Sequence, residues 1–231
     1  MSVIAAIVTD IEGTTTPIAF VKDTLFPFAE AALDGFLDLH GQDPRVLAIV
    51  EAVRAEAPAE EPRAALRRWM AEDAKVTALK SLQGLIWAAG YADGRLRGAL
   101  YPDVAPALRA WAQAGLRLGV YSSGSVPAQQ LLFGHSSAGD LRSLFQGWFD
   151  TRIGAKRERA SYAAIAAGLA LPPAAILFLS DIAQELDAAA EAGFVTCQLV
   201  RADDGTVESG RHPVAPDFAA VARLHGLPEG Y

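Results

Sequence analysis

Four short stretches of the chain carry side chains that can do chemistry together. The first is Asp10-Ile11-Glu12-Gly13-Thr14. Two carboxylates stand close together and a glycine follows, which lets the backbone turn sharply. If both face one cleft at about 4 Å, an effective dielectric of about 20 makes them repel by about 4 kcal/mol. A cation or a raised pKa must offset that repulsion. The second stretch is Ser122-Ser123-Gly124-Ser125. Hydroxyls ahead of a helix N-terminus suit an anion such as phosphate, and Ser122 is the better placed of them. The third is Lys156, a point charge that can hold phosphate and neutralise carboxylates. The fourth is Ser180-Asp181, with Glu185 one helical turn on. Asp181 offers oxygen to a hard cation, and magnesium takes about six oxygens, few of them from protein carboxylates.

Each stretch alone has a plainer explanation. An acidic residue after a strand is commonly a cap or turn residue. Ser125 and Asp181 read as helix N-caps, and a lone lysine is usually a solvated surface charge. What separates this set from chance is order: Asp10, Ser122 and Asp181 each stand directly after an apolar run.

Those runs are the elements that must position the chemistry. Val3–Thr9, Leu116–Tyr121, Ile176–Leu179 and Phe194–Val200 are compact and apolar, as expected of buried parallel strands. Helices are expected between them, over Val104–Ala114, Val126–Phe133, Glu158–Leu169, Ala183–Ala192 and Asp217–Leu224. Alternation of this kind predicts an α/β fold with a parallel sheet covered on both faces. Ligands of such sheets bind beyond the carboxyl ends of the strands. The alternation fails between residues 18 and 98, which contain no strand signal. Lys22–Leu39, Arg45–Glu56 and Arg63–Ala89 read as helical there. The expected organisation is a core of residues 1–17 and 99–231, with an all-helical cap of residues 18–98 inserted after the first strand. That insert is too long for a plain crossover.

The bulk numbers fit. Of 231 residues, 52% are hydrophobic, as in a folded globular protein. With 27 acidic and 20 basic residues the net charge is −7, which argues against nucleic acid or an anionic membrane as partner. The single cysteine, Cys197, excludes an internal disulfide. The apolar start runs straight into Asp10 and reads as a strand, not a targeting leader. No apolar run is long enough to span a bilayer, so a cytoplasmic location is expected.

The order of these residues resembles the haloacid dehalogenase superfamily, in which an aspartate nucleophile follows the first strand of a Rossmann-like sheet. The strings DIEGTTTPI, YSSGSVPAQQLLFGHS, FDTRIGAKRERASY and ILFLSD, with VKDTLFPFA and LKSLQGLIWAAGY in the insert, are similar to the enolase-phosphatase (acireductone synthase) family. The resemblance covers the whole chain. It departs from most phosphatases of the superfamily at Glu12, where a second aspartate is usual. The resemblance implies a bifunctional enzyme of methionine salvage. It would enolise 2,3-diketo-5-methylthiopentyl-1-phosphate and dephosphorylate it to an acireductone, with one magnesium ion per subunit, as a monomer.

Carried over by residue, Asp10 would attack phosphorus, and Asp10, Glu12 and Asp181 would hold the metal. Glu12 would also move a proton. Ser122, Ser123 and Lys156 would contact substrate, and Glu185 would only support them. Phe20, Phe26, Trp87 and Tyr91 could line the methylthio end, although each is better explained as packing within the insert. His135 is expected to be structural. Three alternatives remain on the residues alone: a generic small-metabolite phosphatase of the same superfamily, a metal-free dehalogenase, and a non-catalytic phosphometabolite-binding domain. Three acidic groups without a metal speak against the dehalogenase, and the presence of Asp10, Lys156 and Asp181 against the binding domain.

Overall fold

In the computed structural model, which describes residues 3–230, the apolar runs build one parallel six-stranded sheet. β1 is Ala6–Thr9. A helical turn α1 (Ile18–Phe20) passes through a π-helical turn (Val21–Leu25) into α2 (Phe26–His40). Then come α3 (Pro44–Glu56), α4 (Pro62–Ala71) and α5 (Thr77–Ala92). The alternating part resumes with α6 (Val104–Gln113), β2 (Arg117–Tyr121), α7 (Val126–Gly134), β3 (Phe145–Phe149) and α8 (Arg159–Gly168). It ends with β4 (Ile176–Ser180), α9 (Ala183–Glu191), β5 (Val195–Leu199), β6 (Val214–Ala215) and α10 (Phe218–His225).

The strand order is β3-β2-β1-β4-β5-β6. β1 therefore lies centrally, with Thr9 opposite Val120 on one side and Leu179 on the other. The connections leave β1 toward β2 and β3 first, and toward β4 and β5 later. The chain thus reverses its direction of travel across the sheet beside β1 and β4, and open α/β sheets bind ligands at such a switch point. On one sheet face Val8, Tyr121 and Phe178 are buried with Tyr162, Leu186 and Phe194 from outside the sheet. Tyr162 meets Tyr121 and Phe178 edge-on, with ring centroids 5.5 and 5.1 Å apart. Trp111 of α6 stacks on Phe218 of α10 at 5.2 Å.

Two strands were not anticipated by the apolar pattern. β3 is an edge strand interrupted by Gly147, and its register to β2 shifts between Leu118 and Gly119. A Cβ on Gly147 would come within 2.8 Å of the Phe149 ring, so a larger residue there would have to displace that ring. β6 is only Val214–Ala215.

The chain forms two compact units, one ending at Ile18 and resuming at Gly98, the other Ala19–Arg97. The second is helical and has its own core of Leu33, Val46, Val53, Leu66, Leu82 and Ile86. Trp87 belongs to that packing, and its indole Nε1 donates to the Leu25 carbonyl at 2.8 Å. The continuous helix expected over Arg63–Ala89 is two helices. The break carries Asp73 at φ +48°, a left-handed conformation that a short polar side chain tolerates.

Candidate active site

Asp10 is the first residue past β1. Its N–H continues the ladder to the Leu179 carbonyl at 2.8 Å, while its side chain turns into a buried site, 4% exposed. The next residues form a tight turn. The N–H groups of Thr15 and Thr16 both reach the Ile11 carbonyl at 2.9 Å, and Gly13 takes φ +69°. A Cβ at Gly13 would lie 2.5 Å from Asp181 Oδ2, so conformation and close approach both demand glycine here.

Asp181 follows β4, the neighbour of β1. Its N–H donates to Thr14 Oγ1 at 3.0 Å, and its carbonyl accepts from Gln198 Nε2 at 2.9 Å. Its Oδ1 is buried without a hydrogen-bond partner. Glu185, one turn into α9, accepts at Oε2 from Ser180 Oγ at 3.0 Å.

Lys156 reaches these carboxylates from the loop after β3. Its Nζ lies 2.6 Å from Asp10 Oδ1 and 2.7 Å from Glu185 Oε2, and the residue is 8% exposed. Three hydroxyls hold its loop. Tyr121 donates to the Gly154 carbonyl at 2.9 Å, Ser161 to Ala155 at 2.8 Å and Tyr162 to Lys156 at 2.7 Å. Burial alone would pull the ammonium pKa down; Asp10 and Glu185 outweigh it and hold it up.

The carboxylates show the opposite imbalance. Burial first, then the charges of Asp10 and Glu185, raise Asp181 to about 7. Burial, then Asp10, raises Glu185 to about 7 against the pull of Lys156. One ammonium does not neutralise three buried carboxylates, and the orphaned Asp181 Oδ1 lacks any partner. A hard divalent cation fits that deficit.

Asp10, Lys156, Asp181 and Glu185 are thus brought together, and Glu185 touches Lys156 directly instead of standing behind it. Ser122, buried at the end of β2, is tied into its loop: its N–H meets the Phe149 carbonyl at 3.2 Å and its Oγ accepts from Gly124 N–H at 3.2 Å. Ser123 is exposed. Ser125 caps α7 through the Ala128 N–H. The Glu12 side chain is also exposed, and among the described residues no group of three His, Cys, Asp or Glu gathers to hold a metal. The carboxylates that fit a cation are Asp10 and Asp181. Glu12, expected as the third ligand, is exposed, whereas Asp10 and Asp181 are buried. His135 is exposed at the end of α7, and its carbonyl accepts from Gly98 N–H.

The sequence pattern does not single out the contacts that hold these groups, made by Tyr121, Tyr162, Gln198 and the Thr14 hydroxyl. Thr14 adjoins the acidic turn, which is a signal; Tyr162 and Gln198 sit in ordinary helix and strand patterns and give none.

The site sits in a known family. Residues 4–193 match the family of haloacid dehalogenase-like hydrolases. An enolase-phosphatase E1 from Granulibacter bethesdensis is 58% identical over 224 residues, 96% of this chain and 97% of that one. The Acidiphilium cryptum enolase-phosphatase E1 is 54% identical over 95% of each chain. Among solved structures, the UTR4 protein of Saccharomyces cerevisiae superposes with a TM-score of 0.79 at 34% identity, covering 93% of this chain and 98% of that one. The chain belongs to the enolase-phosphatase family of haloacid dehalogenase-like hydrolases. No helix among the described residues is long and apolar enough to cross a membrane.

Proposed function

We propose that this enzyme converts 2,3-diketo-5-methylthiopentyl-1-phosphate to an acireductone, by enolisation and then phosphate release, at the site around Asp10. The observation that carries the reading is the buried Lys156 bridging Asp10 and Glu185 beside the unpartnered Asp181 Oδ1, in a chain of this family.

In the first step a proton leaves the carbon beside a carbonyl, and the electron pair of that C–H bond becomes the enol. The carbonyl oxygen ends protonated. Glu12 is the residue to which we assign proton movement in that step; its exposed side chain can exchange protons with solvent. In the second step an Asp10 carboxylate oxygen bonds to phosphorus as the phosphorus–ester oxygen bond breaks, and the enediol oxygen leaves and takes a proton. Water then attacks the phosphorus, inorganic phosphate departs and the Asp10 carboxylate returns. Splitting a very slow hydrolysis into two displacements is what a carboxylate nucleophile contributes.

Lys156 is already desolvated and held by its loop, so it balances charge on the transferring phosphoryl group without reorganising. Ser122 and Ser123, at the neighbouring strand end, are assigned to substrate contact. Asp10 and Asp181 would hold magnesium, with further oxygens from water, backbone or substrate; the ion supplies charge neutralisation at the phosphoryl oxygens.

Purified protein with magnesium and the diketone phosphate, followed by ultraviolet absorbance under nitrogen with a free-phosphate assay, tests this. An enol absorbance that rises and is consumed as phosphate appears supports both activities. Phosphate without an enol species, and equal turnover of unrelated phosphomonoesters, would reduce the enzyme to a general phosphatase. Asp10→Asn is expected to abolish phosphate release. Glu12→Gln is expected to slow enol formation while metal affinity survives, and unchanged turnover would remove Glu12 from the mechanism.

A further inference from the structure

Asp181 is held by its backbone, and one of its two restraints leads to a buried arginine. Arg201 follows β5 and is buried. Its Nη1 and Nη2 each lie 3.0 Å from an oxygen of Asp103, a fork-to-fork pair. Nη2 also donates to the Thr14 carbonyl at 2.9 Å, and Nη1 to that of Pro216 at 3.1 Å. The guanidinium lies 4.1 Å over the Tyr101 ring. Thr14 in turn accepts from Asp181 N–H at 3.0 Å. A chain of direct contacts therefore runs from Asp103 through Arg201 and Thr14 to the residue whose Oδ1 is orphaned.

We propose that Arg201 is a positioning residue. By pinning the Thr14 carbonyl it fixes the acidic turn, and through the Thr14 hydroxyl it fixes the direction in which Asp181 presents its carboxylate to a divalent cation. A buried ion pair is poor evidence of stabilisation in itself, but four directed donations from one side chain specify geometry. Lysine cannot replace them, since a single ammonium cannot reproduce the planar fork. The proposal rests on the reading of Asp10 and Asp181 as metal ligands.

Manganese binding by the full-length protein, titrated by electron paramagnetic resonance with magnesium competition, tests it, alongside melting temperatures. Arg201→Lys is expected to raise the manganese Kd by about tenfold or more, the loss usual when a residue supporting a metal ligand is altered. Thr14→Val, which removes no charge and so decides the matter if Arg201→Lys does not fold, is expected to do the same. Thr14→Ser, which keeps the acceptor, is expected to restore wild-type affinity. Because both act on Asp181 through the Thr14 hydroxyl, the double variant should lose less affinity than the product of the two single losses. A lowered melting temperature with unchanged manganese Kd in Arg201→Lys and Thr14→Val would overturn the positioning role and leave the metal reading intact. Absence of manganese and magnesium binding by the wild-type protein would overturn the metal reading, and this proposal with it.

Discussion

Lys156 is the residue on which the electrostatics of the site turn. Its ammonium is shared between Asp10 and Glu185 at 2.6 and 2.7 Å, and its backbone is fixed by Tyr162. Removing it does two things. It leaves two buried carboxylates facing each other, and it deletes a preorganised cation from the transferring phosphoryl group. Lys156→Met is expected to lower kcat by about 10²–10³-fold, the loss typical of a missing charge-stabilising donor. A phosphate-release assay at saturating magnesium checks this. A tenfold loss or less would mean that Lys156 serves the fold more than the reaction.

At the scale of elements, the turn after β1 and the turn after β4 are built against each other. Gly13 at φ +69° stands where any side chain would press on the Asp181 carboxylate. Gly13→Ala therefore combines backbone strain of about 1–2 kcal/mol with displacement of Asp181. The expected result is a lower denaturation midpoint in urea together with weaker manganese binding. An unchanged midpoint would show that the turn can relax by other means. The segment after β5 has a comparable task. Asp204 Oδ2 accepts from Ile18 N–H at 3.0 Å and is hydrogen-bonded by the Tyr101 hydroxyl, while Arg201 holds Asp103. The chain is thus anchored to one strand end where it leaves the α/β unit and where it returns.

For the whole molecule, the buried carboxylates make stability depend on pH and on metal together. Asp181 and Glu185 are raised to about 7 from ordinary values of 3.8 and 4.5. Between those limits the folded protein holds protons that the unfolded chain has released, so folding is favoured at the acid end and stability falls as pH rises. Without divalent cations, the melting temperature is expected to fall between about pH 4 and pH 7, by about 2–4 °C for each kcal/mol lost. Magnesium binds the deprotonated carboxylates, so its stabilising effect should be larger at pH 8 than at pH 5.5. Thermal melts across that range, with and without magnesium, check the sign. Equal magnesium effects at both pH values would count against Asp181 as a ligand.

The apolar runs before Asp10, Ser122 and Asp181 determined the parallel strands β1, β2 and β4 and the place of the chemistry at their carboxyl ends. Burial on both faces writes a continuous apolar signature, and a strand that ends in a polar residue declares where the sheet stops. The helical, strand-free character of residues 18–98 was legible for the same reason. The edge strands β3 and β6 were not, because an edge packs fewer neighbours and can carry Gly147 or shrink to Val214–Ala215. The sequence also named Asp10, Lys156 and Asp181, since their types and order limit the chemistry. Only the tertiary structure decided that Glu185 bonds Lys156 directly, that Glu12 is exposed, that Thr14 and Gln198 bond the Asp181 backbone, and that Arg201 bonds the Thr14 carbonyl. Those contacts join residues as far apart as Thr14 and Arg201, and nothing local in either stretch encodes its partner. Strand order and register set such distances, and they are properties of the folded chain.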